Sequence, residues 1–144
     1  MKSAYALLRK GKIFIQAYSK ASTGLWIASG PVYVAEEGGL EEDLGQKVRD
    51  ALDGSIEGVR HPSQDEWKEI QAPMLEAAGV KSWKTLGKGA KSVGLESNGV
   101  TVKMVPSFNY ENGGGTPLIE KAIEHEVMNS HLGVELMRAF ASCT

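Results

Sequence analysis

Only one cysteine, Cys143, occurs in the 144 residues. One thiol can build neither a disulfide framework nor a cysteine metal cluster, so the fold must rest on its hydrophobic core. A single domain of this length buries enough surface for that. Cysteine scarcity also fits a reducing compartment. No apolar run is long enough to cross a bilayer, and the opening MKSAYALLRKGK lacks the apolar centre of a signal peptide. A cytoplasmic protein without membrane attachment is expected.

The usual signatures of catalysis are missing too. There is no Gly-x-Ser-x-Gly turn to strain a nucleophile. Cys143 lies one residue from the C-terminus, where chain ends are expected to fray. Of the three histidines, His61 precedes a proline, and five residues separate His125 from His131, which is not the one-turn spacing of a zinc pair. No catalytic residue, cofactor or metal is expected. Internal repeats and low-complexity segments are also lacking.

What is present is unevenly distributed charge. The net charge is −2, yet residues 1–35 carry five bases and no acid, residues 36–69 carry eleven acids against four bases, and residues 80–106 carry five lysines against Glu96 alone. Such blocks are usually solvated faces. The acidic block nevertheless points to a basic partner and away from nucleic acid.

Periodicity gives the elements. Residues 3–9 and 12–19 suit strands, with Gly11 marking the turn between them. Residues 25–34 read as a third strand whose Gly30-Pro31 demands an edge or a bulge. Leu40, Leu44, Val48 and Leu52 form a helical stripe over 40–53, with Glu41, Glu42 and Asp43 in the first turn and Gly54 as the stop. Ser63 and Glu66 have capping-box spacing at the start of a helix over 63–78. Trp67, Ile70, Met74 and Ala77 line one face, Pro73 should kink or split the helix, and Gly79 ends it.

Asn98-Gly99 predicts a tight hairpin between 90–97 and 100–106, with Leu95 facing Val102 and Val93 facing Met104. Residues 107–116 read as a loop. Residues 118–127 fit either a helix or a strand, with a lean to strand, and residues 130–141 close with a helix. The order implies one α+β domain over 1–144, a mostly antiparallel sheet with helices packed on one side.

The lysine-rich stretch AGVKSWKTLGKGAKSVGLE runs from helix through loop to strand. A phosphate-binding Walker loop needs strand, glycines, Lys-Ser/Thr and then helix, so that reading fails. A single-strand nucleic-acid platform needs exposed aromatics among the lysines. Only Trp83 is near, and with Val80 and Leu86 beside it a core position is expected. The lysines then read as the solvated side of a turn and hairpin. The three adjacent acids 41–43 point in different directions on a helix, so they suit a helix dipole or a charged contact surface, not a catalytic pair. Gly113–Gly115 reads as a flexible loop flanked by Phe108 and Tyr110. If exposed, these two aromatics would anchor an interface, with Phe108 expected to be the more core-like.

SGPVYV (29–34), the AGVKSW…KGAK core, the hairpin, and the glycine-rich loop running into Pro117 together resemble the immunity proteins of contact-dependent growth inhibition, the CdiI class. The resemblance spans most of the chain, and the lysine-rich core is its most specific part. It implies a non-enzymatic protein that binds the C-terminal toxin domain of a cognate CdiA in the cytoplasm. That toxin is commonly a nuclease, and the immunity protein typically blocks its active site. The class carries no catalytic motif to transfer. The expected contact residues, Glu41, Glu42, Asp43, Phe108 and Tyr110, therefore rest on charge and aromaticity alone. The alternative is a small nucleic-acid-binding domain using the lysines of 80–106.

Overall fold

The computed structural model describes residues 1–144. Three strands open the chain: β1 (Lys2–Arg9), β2 (Lys12–Ala21) and β3 (Trp26–Glu36). Helix α1 (Glu41–Asp53) and a short β4 (Glu57–Val59) follow. A 3₁₀ turn over Gln64–Glu66 then leads into α2 (Trp67–Ala78) and the short α3 (Trp83–Gly87). The second half contains β5 (Lys91–Ser97), β6 (Thr101–Phe108), β7 (Thr116–Pro117), β8 (Ile123–Glu126) and α4 (Leu132–Ala141). The sheet order is β3-β2-β1-β5-β6-β7, with β8 also on β6 and β4 beside β2. Only β4 pairs in parallel.

Local chemistry explains most of these elements. Lys10 and Gly11 both take positive φ, 50° and 78°, as a two-residue hairpin turn of matching twist requires. In the β2–β3 pair Gln16 faces Val32 but Ala17 faces Ser29, so Gly30 and Pro31 bulge out of the ladder. Because β3 is an edge strand, the missing proline donor costs no ladder bond, as the sequence led us to expect. Ser63 and Glu66 form the expected capping box, and Gly79 closes α2 at φ 71°. Pro73 does not split α2, which runs unbroken from Trp67 to Ala78. Of 118–127, residues 123–126 are strand and 119–121 a 3₁₀ turn.

The β5–β6 register differs from expectation. Leu95 faces Met104 and Ser97 faces Val102. The turn centre is Gly99-Val100, with Gly99 at φ 95°. Asn98 stands one place earlier, and its Oδ1 accepts from the backbone N–H of Val100 and Thr101 at 2.9 and 2.8 Å. A glycine at the first central position suits a II′-type turn, and Asn98 closes it as an Asx turn. Each residue shifts by two, so parity is kept: Val93, Leu95, Val102 and Met104 still share the buried face.

The α+β plan holds, but the helices do not all lie on one side. On one face Ala4, Ala6, Ile13 and Ile15 pack with Leu44, Val48 and Leu52 of α1 and with Leu132, Leu136 and Phe140 of α4. On the other, Leu7 and Phe14 pack with Met74 of α2 and Leu86 of α3. Ile13, Phe14 and Ile15 alternate along one strand, so the two clusters sit on opposite faces. β1 and β2 are apolar on both faces and therefore need cover on both.

The C-terminus does not fray. Cys143 is buried in the larger cluster, with its Sγ 3.4 Å from the Ser92 carbonyl. Thr144 exchanges backbone hydrogen bonds with the strand end: its N–H donates to Ser107 at 3.1 Å and its carbonyl accepts from Asn109 at 2.7 Å. Nor is all of 107–116 loop, because Ser107 and Phe108 pair with Pro117 and Thr116.

Candidate functional site

The face that carries α2 and α3 is only partly covered. On β1 and β5 this face presents Ser3, Tyr5, Ser92, Gly94 and Glu96, and the cross-strand register sets Tyr5 against Gly94 and Ser3 against Glu96. Small side chains in the middle of a sheet leave a trough between taller neighbours. Gly94 makes room for the Tyr5 ring, whose Cε1 would lie 3.4 Å from any Cβ built there.

The result is two adjoining hollows that share Tyr5, Ser92, Tyr110 and Gly114. The first, about 340 Å³, runs along β5 and β6 past Lys103 and Val105 to the glycine-rich loop. The second, about 310 Å³, is walled by Tyr18, Trp26, Trp83 and Met74. Tyr5 and Tyr18 meet edge to face, with ring centroids 4.8 Å apart, and the Lys20 ammonium stands 5.8 Å from the Trp26 ring centroid.

Burial disfavours the phenolate and pushes the pKa of Tyr5, Tyr18 and Tyr110 above the ordinary tyrosine value, most strongly for Tyr18. Glu96 adds to the effect at Tyr5, and the neighbouring phenols add to it at Tyr18. All three hydroxyls therefore keep their protons at neutral pH. The Trp83 indole Nε1 is buried without a hydrogen-bond partner.

The structure divides the residues singled out from sequence between two places. Glu41, Glu42 and Asp43 lie exposed at the start of α1, on the other face of the sheet, with Asp43 paired to Lys47 at 2.5 Å. Phe108 and Tyr110 share a hollow with Glu111 and Thr144. Their expected roles are exchanged: Phe108 is 48% exposed, whereas Tyr110 packs on the Leu7–Phe14 cluster. Trp83 packs there as well, half-buried.

The loop beside Tyr110 depends on Gly115, at φ 69°, where a Cβ would overlap the Phe108 carbonyl and stand 2.8 Å from the Tyr110 Cα. Lys81, Lys84, Lys88 and Lys91 are exposed around α3 and the turn into β5. His125 bridges β8 to α4 through Glu135 at 3.3 Å. Sequence reasoning missed Tyr5, Tyr18 and Trp26. The available signal was Ser92 and Gly94 alternating with Val93 and Leu95, which marks a strand with one bulky face and one nearly bare.

Comparison with solved structures places this architecture. A protein of unknown function, NMB0488, from Neisseria meningitidis is similar over 99% of this chain and 95% of its own, with a TM-score of 0.80 and 19% identity. A CdiA-CT/CdiI toxin and immunity complex from Yersinia pseudotuberculosis is similar over 99% and 97%, with a TM-score of 0.79 and 19% identity. At that identity the likeness shows a shared fold. No curated protein matches the sequence. A family model described as CDI immunity protein matches residues 2–143, nearly the whole chain, and the chain therefore belongs to the CdiI family of CDI immunity proteins.

Proposed function

We propose that this protein binds the C-terminal toxin domain of a cognate CdiA in the cytoplasm and neutralises it by covering its active site. We further propose that the toxin is a basic nuclease and that the immunity protein has no catalytic activity of its own. The family match over residues 2–143 carries the reading, and the fold shared with the Yersinia toxin and immunity complex supports it. In this reading Tyr110 and Phe108, beside the aromatic trough, supply contact area. Glu41, Glu42 and Asp43 supply a negative field that favours encounter with a basic protein.

The alternative nucleic-acid reading loses support in the fold. Trp83 packs half-buried on the Leu7–Phe14 cluster, so the exposed lysines around α3 lack the fully exposed ring on which a base would stack.

Co-expression with a cognate CdiA C-terminal toxin domain is the test. Cells should survive induction of the toxin only with the immunity protein present, and the purified pair should form a 1:1 complex that abolishes toxin activity. Toxicity undiminished by the protein would overturn the reading. So would affinity for bare oligonucleotides that falls steeply with salt, in the manner of phosphate neutralisation.

A further inference from the structure

Two of the four asparagines precede a glycine, in Asn98-Gly99 and Asn112-Gly113. In such a pair the glycine backbone nitrogen can attack the asparagine Cγ, because no Cβ on the following residue obstructs ring closure. Both pairs are exposed, so access to water does not separate them. Hydrogen bonding does.

At Asn98 both reacting groups are engaged. Its Oδ1 accepts from the Val100 and Thr101 N–H groups at 2.9 and 2.8 Å, which aims the carboxamide along the turn. The nitrogen that would attack, that of Gly99, donates to Ser97 Oγ at 3.0 Å. At Asn112 the reacting groups are free. The N–H groups of Asn112 and Gly114 donate to the carbonyls of Asn109 and Tyr110 at 3.1 and 3.2 Å, but that of Gly113, between them, has no partner in the protein. The Asn112 side chain makes one hydrogen bond, from Nδ2 to Asn109 Oδ1 at 2.6 Å. That bond involves neither Oδ1 of Asn112 nor the Gly113 nitrogen.

We propose that Asn112 is a site of spontaneous covalent modification, converting to aspartate and isoaspartate through a cyclic imide with Gly113, while Asn98 is protected by its turn. The Gly113 N–H gives its proton to hydroxide or a buffer base, and the nitrogen bonds to Asn112 Cγ. The Cγ–Nδ2 bond breaks and ammonia leaves, its extra proton returned by solvent. Water then opens the imide at either carbonyl, giving aspartate or isoaspartate.

The product changes a functional-looking surface. A carboxylate at position 112 joins Glu111 in the hollow between α3 and the glycine-rich loop, beside Lys84. The isoaspartate form also adds one carbon to the main chain between two fixed points. Tyr110 is held on the Leu7–Phe14 cluster, and Gly115 lies against the Phe108 carbonyl. The loop edge of the trough must therefore shift.

The test is to age the full-length protein in mildly alkaline buffer and follow both peptides by mass spectrometry, with fragmentation that distinguishes isoaspartate. The hydrogen bonds that must break at Asn98 should make it at least about tenfold slower than Asn112 in the folded protein. In urea the two rates should converge, because the fold no longer protects Asn98. Asn112→Gln, whose imide ring would be one atom larger, should stay free of the acidic loop variant over the same period. Equal rates in the folded protein, or faster loss of Asn98, overturn the proposal. So does an Asn112 that persists when folded but converts in urea. A ratio that survives in urea assigns the difference to sequence neighbours and overturns the structural basis.

Discussion

Gly133 of α4 lies against the backbone carbonyl of Glu41 at the start of α1. A Cβ on Gly133 would overlap that oxygen and stand 3.1 Å from the carbonyl carbon. Gly45, one turn further along α1, faces the Gly133 backbone nitrogen at 3.4 Å from its own would-be Cβ. The two helices touch through backbone, which brings Leu44 and Val48 of one into the same cluster as Leu132 and Leu136 of the other.

The two glycines should respond differently to alanine. Gly133→Ala must part the helices, and overpacking of this kind costs about 1–3 kcal/mol, a fall in Tm of roughly 2–10 °C for a domain this size. Gly45→Ala meets only ordinary contact and gains helix propensity, so its Tm should change by no more than about 3 °C. Thermal melts of both variants check this. Equal losses would show that the helix crossing does not depend on Gly133.

Cys143 should be unreactive in the native state. Its thiol is buried, with Ser92, Ser107 and Ala139 around it. Labelling by an aromatic disulfide reagent should be slow in buffer and complete within seconds in denaturant. Labelling in buffer as fast as for a free thiol would mean that the C-terminus opens independently of the core.

Glu66 sets an acid limit. It accepts from both terminal nitrogens of Arg60, at 2.9 and 2.7 Å, and closes the capping box with Ser63. Hydrogen bonds from Arg60 and then Ser63 hold its carboxyl down to about 2. The unfolded chain binds this proton more readily, so the contribution is complete above the ordinary glutamate range near 4.5 and is lost as pH falls towards 2. The site is exposed, so the effect is small. Tm profiles between pH 2 and 6 should be flatter for Glu66→Gln than for wild type. Parallel profiles would remove Glu66 from the acid response.

Glu42 and Asp43 test the electrostatic part of toxin recognition. Reversing both to lysine should slow association with the cognate toxin about tenfold at low salt and much less at physiological salt, with dissociation unchanged. If the acids serve only the helix dipole, the change appears as about 0.3–1 kcal/mol of stability and the rates stay the same. Stopped-flow association at two salt concentrations separates the two cases.

Much of the local structure was legible before folding. The Leu44-Val48-Leu52 stripe, the Ser63/Glu66 cap, the Gly79 stop and the Gly30-Pro31 bulge depend on neighbours in sequence, and sequence shows neighbours. The CdiI resemblance was legible as well, because its quoted motifs lie on these same turns and strand ends.

Other features depended on what each segment meets in space. Apolar alternation shows that Leu95 faces the core, but parity is identical for a pairing shifted by two. The positive φ of Gly99 and the Asn98 side chain chose between the two registers. Composition alone does not separate Tyr110 from Phe108. Tyr110 follows Asn109, whose φ of 55° redirects the chain after β6, and it thereby meets the second cluster while Phe108 remains exposed. Cys143 is terminal in sequence yet central in packing, because α4 returns the chain end to β5 and β6. The trough exists only because β1 and β5 bring their small residues side by side, a coincidence of two strands about ninety residues apart that no local pattern encodes.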